Sequence, residues 1–437
     1  MNTERFCNLI GGQCQAGDAT MDVRNPATGE VFAQSPKADE AQLNAAVTAA
    51  TNAFSAWTAT PIGERKEVLK TIAETIEENV DELALLFTRE HGRPVPAARA
   101  ELLGAAMWLK ATTMLDIPVD VTEDTDDRRI EVHHVPLGVV CALVPWNFPI
   151  LLAIWKIGPA LLAGNTLVLK PSPFTPLTTL KIGELIKDSV PAGVVNIISG
   201  GDELGPMMTS HPGFAKISFT GSTQTGRKVM ESASRDLKRI TLELGGNDAS
   251  IIFPDVDVDK VAAQLFEGAF HNTAQVCVAT KRMYIHEDIY DALRDRLAKL
   301  AKDAKVGDGS QQGTRFGPIQ NEAQYKRVLA LIEDAKAKGL TLIEGADVPE
   351  QGYFIPLTLV DNPPEDAKVV TEEAFGPVLP LLKWTNVDDV VQRANDTEYG
   401  LAGAVWSADI EQATATAHRL DTGTVWINQC LQSTPFT

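Results

Sequence analysis

Val139-Val-Cys-Ala-Leu-Val144, followed at once by Pro145-Trp-Asn-Phe-Pro149, decides the fold class of this 437-residue chain. The first stretch is a continuous apolar run of strand length, and the second is a polar loop bounded by prolines. Similar runs recur downstream and alternate with helical stretches, which predicts an α/β fold with a parallel sheet covered by helices on both faces. The predicted strands are 139–144, 166–169, 194–198, 216–220, 240–244 and 249–253, and the helices between them are 150–162, 177–189, 204–210 and 225–234.

The polar and glycine-rich segments fall where such a sheet binds ligands, beyond the carboxyl ends of its strands. They are Pro145–Pro149, Lys170-Pro-Ser172, Ser199-Gly-Gly201 and Thr220-Gly-Ser-Thr223. The last is a strand-to-helix turn whose free N–H groups can hold a phosphate. A P-loop nucleotide hydrolase is a weak alternative, because Arg227 takes the place of the P-loop lysine and the magnesium-binding hydroxyl is missing.

The remainder of the chain predicts further helices and strands. Apolar residues at steps of three and four predict one amphipathic helix over 63–89, and the β-branched segment 117–134 predicts a hairpin that turns at Asp124–Asp127. The second half repeats the pattern after a boundary near Gly245-Gly246. Its predicted helices are 261–270, 290–301 and 321–338, and its predicted strands are 282–285, 341–344, 378–383 and 424–428.

Composition excludes several classes of protein. Lysine and arginine total 39 against 58 acidic residues, and a net charge of -19 disfavours nucleic acid and anionic membrane surfaces as partners. Leu137–Trp155 is uncharged and long enough to cross a bilayer, but Pro145, Asn147 and Pro149 interrupt it. The five cysteines are few, scattered and odd in number, which is typical of free thiols in a reducing compartment. We therefore expect a cytoplasmic protein with no membrane span and no metal site.

Three residues have unusual chemistry for their positions. Cys277 lies alone between valines, where a cysteine is more often an apolar filler than a nucleophile. Glu243 lies inside the apolar run 240–244, where a buried carboxylate is costly, so we expect either a partner or a role in proton transfer. Asn147 offers a side-chain amide in a stiff loop between two prolines.

Taken together, the motifs resemble those of the aldehyde dehydrogenase superfamily. The matches are Pro145-Trp-Asn-Phe-Pro149, Leu161-Leu-Ala-Gly-Asn165, Val168-Leu-Lys-Pro-Ser172, Phe219-Thr-Gly-Ser-Thr223, Leu242-Glu-Leu-Gly-Gly246, Gln275-Val-Cys277, Glu372-Glu-Ala-Phe-Gly-Pro377 and Asn395-Asp-Thr-Glu-Tyr-Gly-Leu401. They follow the order of the family and run from about Gly11 to about Asn428. The resemblance implies oxidation of an aldehyde to a carboxylic acid through a cysteine thiohemiacetal and a thioester.

The resemblance also implies a role for each matching residue. Cys277 is the nucleophile, Glu243 the general base, and Asn147 an oxyanion-hole donor. The residues implied in binding the dinucleotide are Pro145, Trp146, Lys170, Ser172, Gly201, Gly205, Thr220, Gly221, Ser222, Leu244, Glu373 and Phe375. The implied substrate tunnel is mostly apolar and favours an apolar or aromatic aldehyde; its residues are Phe148, Leu152, Trp155, His271, Val276 and Val278.

By the same resemblance, residues 1–116 and 135–244 form a Rossmann-like NAD(P)-binding domain. Residues 117–134 form an oligomerisation hairpin of a homodimer or homotetramer, residues 245–428 a second α/β catalytic domain, and residues 429–437 a truncated C-terminal segment. Three departures from the family pattern stand out. Pro173 replaces a glutamate common in NAD-preferring members, which leaves NADP open although we favour NAD. Ala274 replaces a glycine, and the usual tail is missing, so a non-catalytic or truncated member that still binds cofactor is the alternative.

Overall fold

The structure is a computed structural model that describes residues 5–434 and divides into two compact units. Unit 1 contains the chain up to Arg24, Val31–His91 and Val95–Glu243, and unit 2 contains Asn25–Glu30, Gly92–Pro94 and the chain from Leu244. The sequence analysis had placed 25–30 and 92–94 in the first domain. They lie in unit 2 because the backbone of Tyr353 donates a hydrogen bond to the carbonyl of Pro26, and Gly92 packs against Pro318.

Unit 1 contains a seven-stranded sheet in the order β11-β10-β7-β8-β9-β1-β2. Strands β7 to β11 are parallel, and β1 and β2 add an antiparallel edge that the sequence analysis did not predict. The strand order reverses between β10 and β7, which is where parallel sheets of this type bind their ligands. The strands are β1 Asn8–Ile10, β2 Gln13–Gln15, β3 Ala19–Arg24, β4 Val31–Lys37, β5 Asp120–Asp124, β6 Arg129–Val132, β7 Val139–Leu143, β8 Thr166–Lys170, β9 Val195–Ile197, β10 Lys216–Thr220 and β11 Arg239–Glu243.

Helices α1, α5, α6 and α8 of unit 1 pack against strands of this sheet. The helices are α1 Glu40–Ala59, α2 Ile62–Glu78, α3 Val80–His91, α4 Val95–Thr112, α5 Pro149–Leu162, α6 Leu177–Ile186, α7 Leu204–Ser210 and α8 Thr223–Ser234. The single helix predicted over 63–89 is wrong, because the chain breaks into α2 and α3 at Asn79. That residue leaves the helical conformation at φ -107° and ψ 12°, and its side-chain amide donates to the carbonyl of Thr75.

Two further pairs of strands lie outside the large sheet. Strands β3 and β4 pair antiparallel, and β5 and β6 form the hairpin predicted within 117–134. Valine and isoleucine side chains of the hairpin segment are exposed, among them Val121, Ile130 and Val132. The hairpin thus exposes apolar side chains to solvent beside the charged side chains of its ion pairs.

The expectation that all five cysteines are free thiols is wrong. Cys7 and Cys14 form a disulfide, with their Cα atoms 5.3 Å apart. The reason is local: Gly11 and Gly12, both at positive φ, turn the chain back so that β1 and β2 pair, with Leu9 opposite Cys14. Cys141, Cys277 and Cys430 are free.

Unit 2 contains a second seven-stranded sheet in the order β14-β15-β16-β13-β12-β17-β18, parallel except for β14. The strands are β12 Ala249–Ile252, β13 Arg282–His286, β14 Thr341–Glu344, β15 Thr358–Asp361, β16 Val378–Trp384, β17 Ala402–Trp406 and β18 Thr424–Ile427. The helices are α9 Val258–Phe270, a 3-10 turn His271–Ala274, α10 Glu287–Asp303, α11 Glu322–Ala337, α12 Lys368–Thr371, α13 Val387–Asn395 and α14 Ile410–Ala417. Strands β15 and β17 were not predicted, since the first has only four residues and the second is rich in alanine and glycine.

The C-terminal segment 429–437 is described up to Thr434, and residues 435–437 lie outside the described residues. Its described part contains no helix or strand, although the indole nitrogen of Trp426 donates to the carbonyl of Gln432. Within residues 5–434, no helix combines the length and the apolar character needed to cross a bilayer.

Candidate active site

The loop that carries Asn147 connects β7 to α5 in unit 1. Asn147 is buried, and its carbonyl oxygen lies 3.0 Å from Nε2 of His91. Because a carbonyl only accepts, His91 donates this bond. Glu101 accepts the backbone N–H groups of Ile150 and Leu151, both at 3.0 Å, and so satisfies free donors at the start of α5. The loop is therefore held from two sides by buried polar side chains.

Lys170 ends strand β8 and is buried together with Ser172. Within the described residues its ammonium has one hydrogen-bond acceptor, the carbonyl of Pro171 at 3.4 Å, so donors remain for a ligand hydroxyl. Burial lowers the pKa of Lys170 to about 8, while Asp202 and Glu203 oppose that shift. The Ser172 hydroxyl accepts from the backbone of Phe174 and tightens the turn that follows.

The loop between β10 and α8 holds Thr220, Gly221 and Ser222. Ser222 is the N-cap of α8, and its hydroxyl accepts from the backbone N–H of Thr225. A side chain on Gly221 would place its Cβ 2.5 Å from the ring of Phe219. The Thr220 hydroxyl accepts from Nζ of Lys156 at 2.8 Å. Burial lowers the pKa of Lys156 to about 8, opposed chiefly by the charge of Glu243.

Gly201 and Gly205 flank the loop from β9 into α7. A Cβ on Gly201 would lie 2.4 Å from the carboxylate of Glu203, and a Cβ on Gly205 would meet open space. Asn8 accepts the backbone N–H of Ser199, which ties this loop to the edge strand β1. All four ligand-side loops predicted from the sequence therefore leave the carboxyl ends of β7, β8, β9 and β10.

The expectation that Glu243 is buried within a strand is wrong. Glu243 is exposed at the last position of β11, and β11 is an edge strand whose residues alternate between exposed and half-buried. The order of strands in the sheet, which a sequence does not reveal, decides this exposure. Glu243 is the last residue of unit 1, and Leu244 begins the longest segment of unit 2.

In unit 2, Cys277 follows a short segment with unusual backbone geometry. Asn272, Thr273 and Ala274 all have positive φ, at 51°, 57° and 60°. The left-handed conformation costs roughly 1–2 kcal/mol for a residue with a Cβ. Gln275 holds the segment in place, since its buried side chain donates to the carbonyl of Asn272 and accepts from the backbone of Gln320. Ala274 thus adopts the conformation that a glycine at this position would favour.

Cys277 is half-buried, whereas Cys141 is buried in β7. Burial raises the pKa of the Cys277 thiol to about 11; Lys281 opposes the shift, and Asp248 and Glu373 add to it. The Nζ atom of Lys281 lies 2.5 Å from the carbonyl oxygen of Cys277. A buried cation is therefore part of the immediate surroundings of this cysteine.

Glu373 lies in the loop after α12, where its carboxylate accepts the backbone N–H of Gly246 at 3.1 Å. Burial raises the pKa of Glu373, and Lys281 opposes that shift. A Cβ on Gly245 would lie 2.3 Å from this carboxylate, so the glycine makes room for it. Phe375 has a positive φ of 48°, and the side chain of Gln324 donates to its carbonyl.

The residues expected to line a substrate tunnel fall into both units. In unit 1, Leu152 is buried, Phe148 is half-buried, and Trp155 lies 4.7 Å from Trp108, ring to ring. In unit 2, Val276 is buried and Val278 half-buried. Nδ1 of His271 lies 2.9 Å from a carboxylate oxygen of Glu267, which in turn pairs with Arg315.

Several residues that shape these loops were not identified from the sequence: His91, Glu101, Lys156, Gln275, Lys281 and Gln324. Only one signal was available, which is that Lys156 interrupts an otherwise apolar segment. The other side chains act through partners far away in the sequence.

The described loops fit a dinucleotide. A buried lysine with open donors, the N-terminus of the twelve-residue helix α8 and loop glycines without side chains suit phosphate and ribose groups. Within residues 5–434, no group of His, Cys, Asp and Glu side chains is arranged to hold a metal ion.

Comparisons with known proteins agree with this geometry. The aldehyde dehydrogenase family profile matches residues 14–437. A phenylacetaldehyde dehydrogenase of Pseudomonas fluorescens is 38% identical over 96% of this chain and 87% of its own. The NAD+ complex of an aldehyde dehydrogenase from Bacillus cereus superimposes with a TM-score of 0.96 at 34% identity, covering 98% of this chain and 90% of that one. An NADP-dependent enzyme of E. coli gives a TM-score of 0.95 at 36% identity, covering 99% and 92%. The chain therefore belongs to the aldehyde dehydrogenase family, whose members oxidise aldehydes with NAD+ or NADP+.

Proposed function

We propose that Cys277 is the nucleophile of this aldehyde dehydrogenase, with Asn147 and Glu243 as its catalytic partners. The thiolate forms a bond to the aldehyde carbon, and the carbonyl oxygen becomes an alkoxide. The side-chain amide of Asn147 and the backbone N–H of Cys277 stabilise that charge; loss of one such donor typically costs about 10²–10³ in rate. When bound, the nicotinamide accepts the hydride that leaves this carbon.

Glu243 then completes the turnover. It takes a proton from a water molecule, the resulting hydroxide attacks the Cys277 thioester, and the carboxylic acid leaves as the thiolate is restored. A solvent-exposed carboxylate suits this role, because it exchanges protons readily with bulk water. The observation that carries the proposal is that Cys277 is a free, only partly buried thiol on a loop held by Gln275 and Lys281.

The cofactor is assigned by the same reasoning. Lys170 and Ser172 hold the adenosine ribose, and Glu373 the nicotinamide ribose. The N-terminus of α8, with Gly201, Gly205, Thr220, Gly221 and Ser222, holds the pyrophosphate; Pro145, Trp146, Leu244 and Phe375 are assigned to dinucleotide binding as well. We favour NAD over NADP, because no cation follows Ser172 closely in the sequence. Unit 1 is thus the dinucleotide-binding unit and unit 2 the one that carries the nucleophile.

The substrate is proposed to be an apolar or aromatic aldehyde. Support comes from the apolar character of Phe148, Leu152, Trp155, Val276 and Val278, to which His271 adds one polar group. The relationship to a phenylacetaldehyde dehydrogenase points in the same direction.

The test is NADH formation, followed by absorbance, with phenylacetaldehyde, hexanal and a carboxylate-bearing aldehyde. We expect the first two to turn over faster. Cys277→Ala abolishes NADH formation, while Cys430→Ala, which removes another free thiol, retains it. Glu243→Gln gives a burst of one NADH per active subunit and then a rate about 10²–10⁴ lower. Sustained wild-type turnover by Cys277→Ala would refute the assignment, and absence of NADH from wild type with every aldehyde would favour the non-catalytic alternative.

We also propose that the β5–β6 hairpin joins subunits of a homodimer or homotetramer. The exposed apolar residues Val121 and Val132 support this, because such side chains gain free energy when another surface covers them. The double variant Val121→Asp/Val132→Asp is expected to lower the mass measured by light scattering, whereas Val31→Asp, at an exposed valine of β4, is not. A cytoplasmic location stays a prediction, and the Cys7–Cys14 disulfide removes part of its basis.

A further inference from the structure

Lys281 is a buried lysine of unit 2 that the reaction as described does not use. Its side chain is 6% exposed. Its Nζ atom donates to the carbonyl of Cys277 at 2.5 Å and to that of Ala279 at 3.3 Å, and it lies 3.7 Å from a carboxylate oxygen of Glu373. One ammonium group therefore contacts both the backbone of the proposed nucleophile and the proposed ribose-binding carboxylate.

The position of Lys281 is set by the sheet of unit 2. Lys281 immediately precedes β13, and Asp248 immediately precedes its parallel neighbour β12. The backbone N–H groups of Lys281 and Arg282 both donate to the carbonyl of Asp248, at 2.9 and 3.1 Å. Because this backbone is tied to the pairing of two central strands, the lysine reaches its partners from a rigid base.

Glycines on the opposite side keep these groups close. A Cβ on Gly246 would lie 2.9 Å from the carbonyl oxygen of Cys277 and 2.5 Å from the carboxylate of Asp248. The N–H of Gly246 donates to the same oxygen of Glu373 that faces Lys281. The loop of Cys277 and the carboxylate of Glu373 are thus held by one lysine and one backbone amide.

We propose that Lys281 is a positioning residue that couples Glu373 to the loop of Cys277. The proposal rests on the assigned roles of those two residues. Lys281 fixes the Cys277 carbonyl, and with it the direction of the thiol, while it holds the Glu373 carboxylate in place for a ribose hydroxyl. Its charge also favours the thiolate, since Lys281 opposes the rise in pKa that burial imposes on Cys277.

A lysine with a purely structural role would donate to the same two carbonyl oxygens without affecting the reactivity of the thiol or the binding of the cofactor. Two measurements that need no turnover separate the possibilities: the rate at which iodoacetamide alkylates Cys277, followed by mass spectrometry of its peptide from pH 8 to 10, and the Kd for NAD+ from calorimetry. The titratable groups that act on the thiol are Lys281, Asp248 and Glu373.

For Lys281→Met we expect alkylation at pH 9 to be about fivefold slower or more, and the Kd for NAD+ to rise by about the same factor, because the thiolate and the carboxylate both lose a nearby cation. Lys281→Arg restores both in part. Lys238→Met, which removes another buried lysine, changes neither. Glu373→Gln weakens NAD+ binding, and adding Lys281→Met to it weakens binding little further.

The proposal is overturned if folded Lys281→Met keeps both values within twofold of wild type. Should Lys281→Met not fold, Lys281→Gln and Lys281→Arg decide the matter: slower alkylation in the uncharged variant alone supports coupling, and equal rates in the two refute it. If the wild-type protein makes no NADH but the Lys281 variants show these changes, the proposed dehydrogenase activity is refuted. The positioning role of Lys281 is then still supported.

Discussion

Nε2 of His91 donates a hydrogen bond to the carbonyl oxygen of Asn147 across 3.0 Å, although 56 residues separate the two in the chain. His91 is the last residue of α3 and is almost fully buried, with its ring against the edge of Phe87. Since the Asn147 backbone is held there, His91 supports the position of the side-chain amide that we propose as an oxyanion-hole donor. Small displacements of such donors have large effects on rate.

The first prediction is that His91→Ala lowers kcat by about tenfold with a smaller change in the KM for the aldehyde, because a loosened Asn147 stabilises the developing alkoxide less well. His91→Gln, which retains a donor, should lose less. Steady-state NADH formation measures both. His211→Ala, at a histidine that bonds to Asn44 on the surface, is the control. Equal kcat for His91→Ala and wild type would contradict the positioning role.

The His91 contact shows where sequence reasoning stops. The loop 145–149 was predictable, because an apolar run followed by prolines and an amide is a local pattern. Its support by His91 and Glu101 was not, because those bonds join residues about fifty positions apart. The same holds for Lys281, whose identity is visible in the sequence but whose contact with Glu373 depends on the folded sheet.

Two expectations were wrong for different reasons, one nonlocal and one local. The burial of Glu243 was inferred from an apolar run, but β11 lies at the edge of its sheet, and strand order is not encoded in a single run. The free state of Cys7 and Cys14 was inferred from a cysteine count, while the turn at Gly11-Gly12 brings those two together. Gly245 and Gly246 entered only as part of a family motif, and the structure shows that a Cβ at either position would collide with a nearby carboxylate.

The second prediction tests the close packing around Gly246. Gly246→Ala is expected to destabilise the protein by about 1–3 kcal/mol and to lower activity, because its Cβ would collide with the Asp248 carboxylate and the Cys277 carbonyl. Chemical denaturation and NADH assays measure the two effects. Gly104→Ala is the matched control, since a Cβ there meets open space within helix α4. If Gly246→Ala left both stability and activity unchanged, the surrounding loop would have to adjust to the added side chain without cost.

The third prediction is that NAD+ binding weakens as the pH rises through the pKa of Lys170, which burial lowers to about 8. Below that pH the ammonium is charged and, in its proposed role, donates to a ribose hydroxyl; above it the amine is neutral. We expect the Kd to increase by about three- to tenfold between pH 7 and 9.5. Lys170→Arg stays charged throughout, so its Kd should change less over this range. Parallel pH profiles for the two proteins would rule out Lys170 as the titrating group.

The fourth prediction follows from Glu90, whose carboxylate accepts the backbone N–H groups of Leu177 and Thr178 at the start of α6. Burial raises the pKa of Glu90 to about 7, opposed by those hydrogen bonds and reinforced by Glu101. Between the unfolded pKa near 4.5 and pH 7, the folded state holds the proton more tightly than the unfolded chain does. The free energy of unfolding therefore decreases as pH rises through this window.

Glu90→Gln removes this titration, so its stability relative to wild type should improve steadily from pH 5 to pH 8, by on the order of 1–3 kcal/mol in total. The comparison must be relative, because burial also raises the pKa of Asp248 to about 7 and gives both proteins a background of the same sign. Urea denaturation at each pH provides the measurement. A difference between the two proteins that stays constant with pH would mean that the carboxylate of Glu90 titrates alike in the folded and unfolded chains.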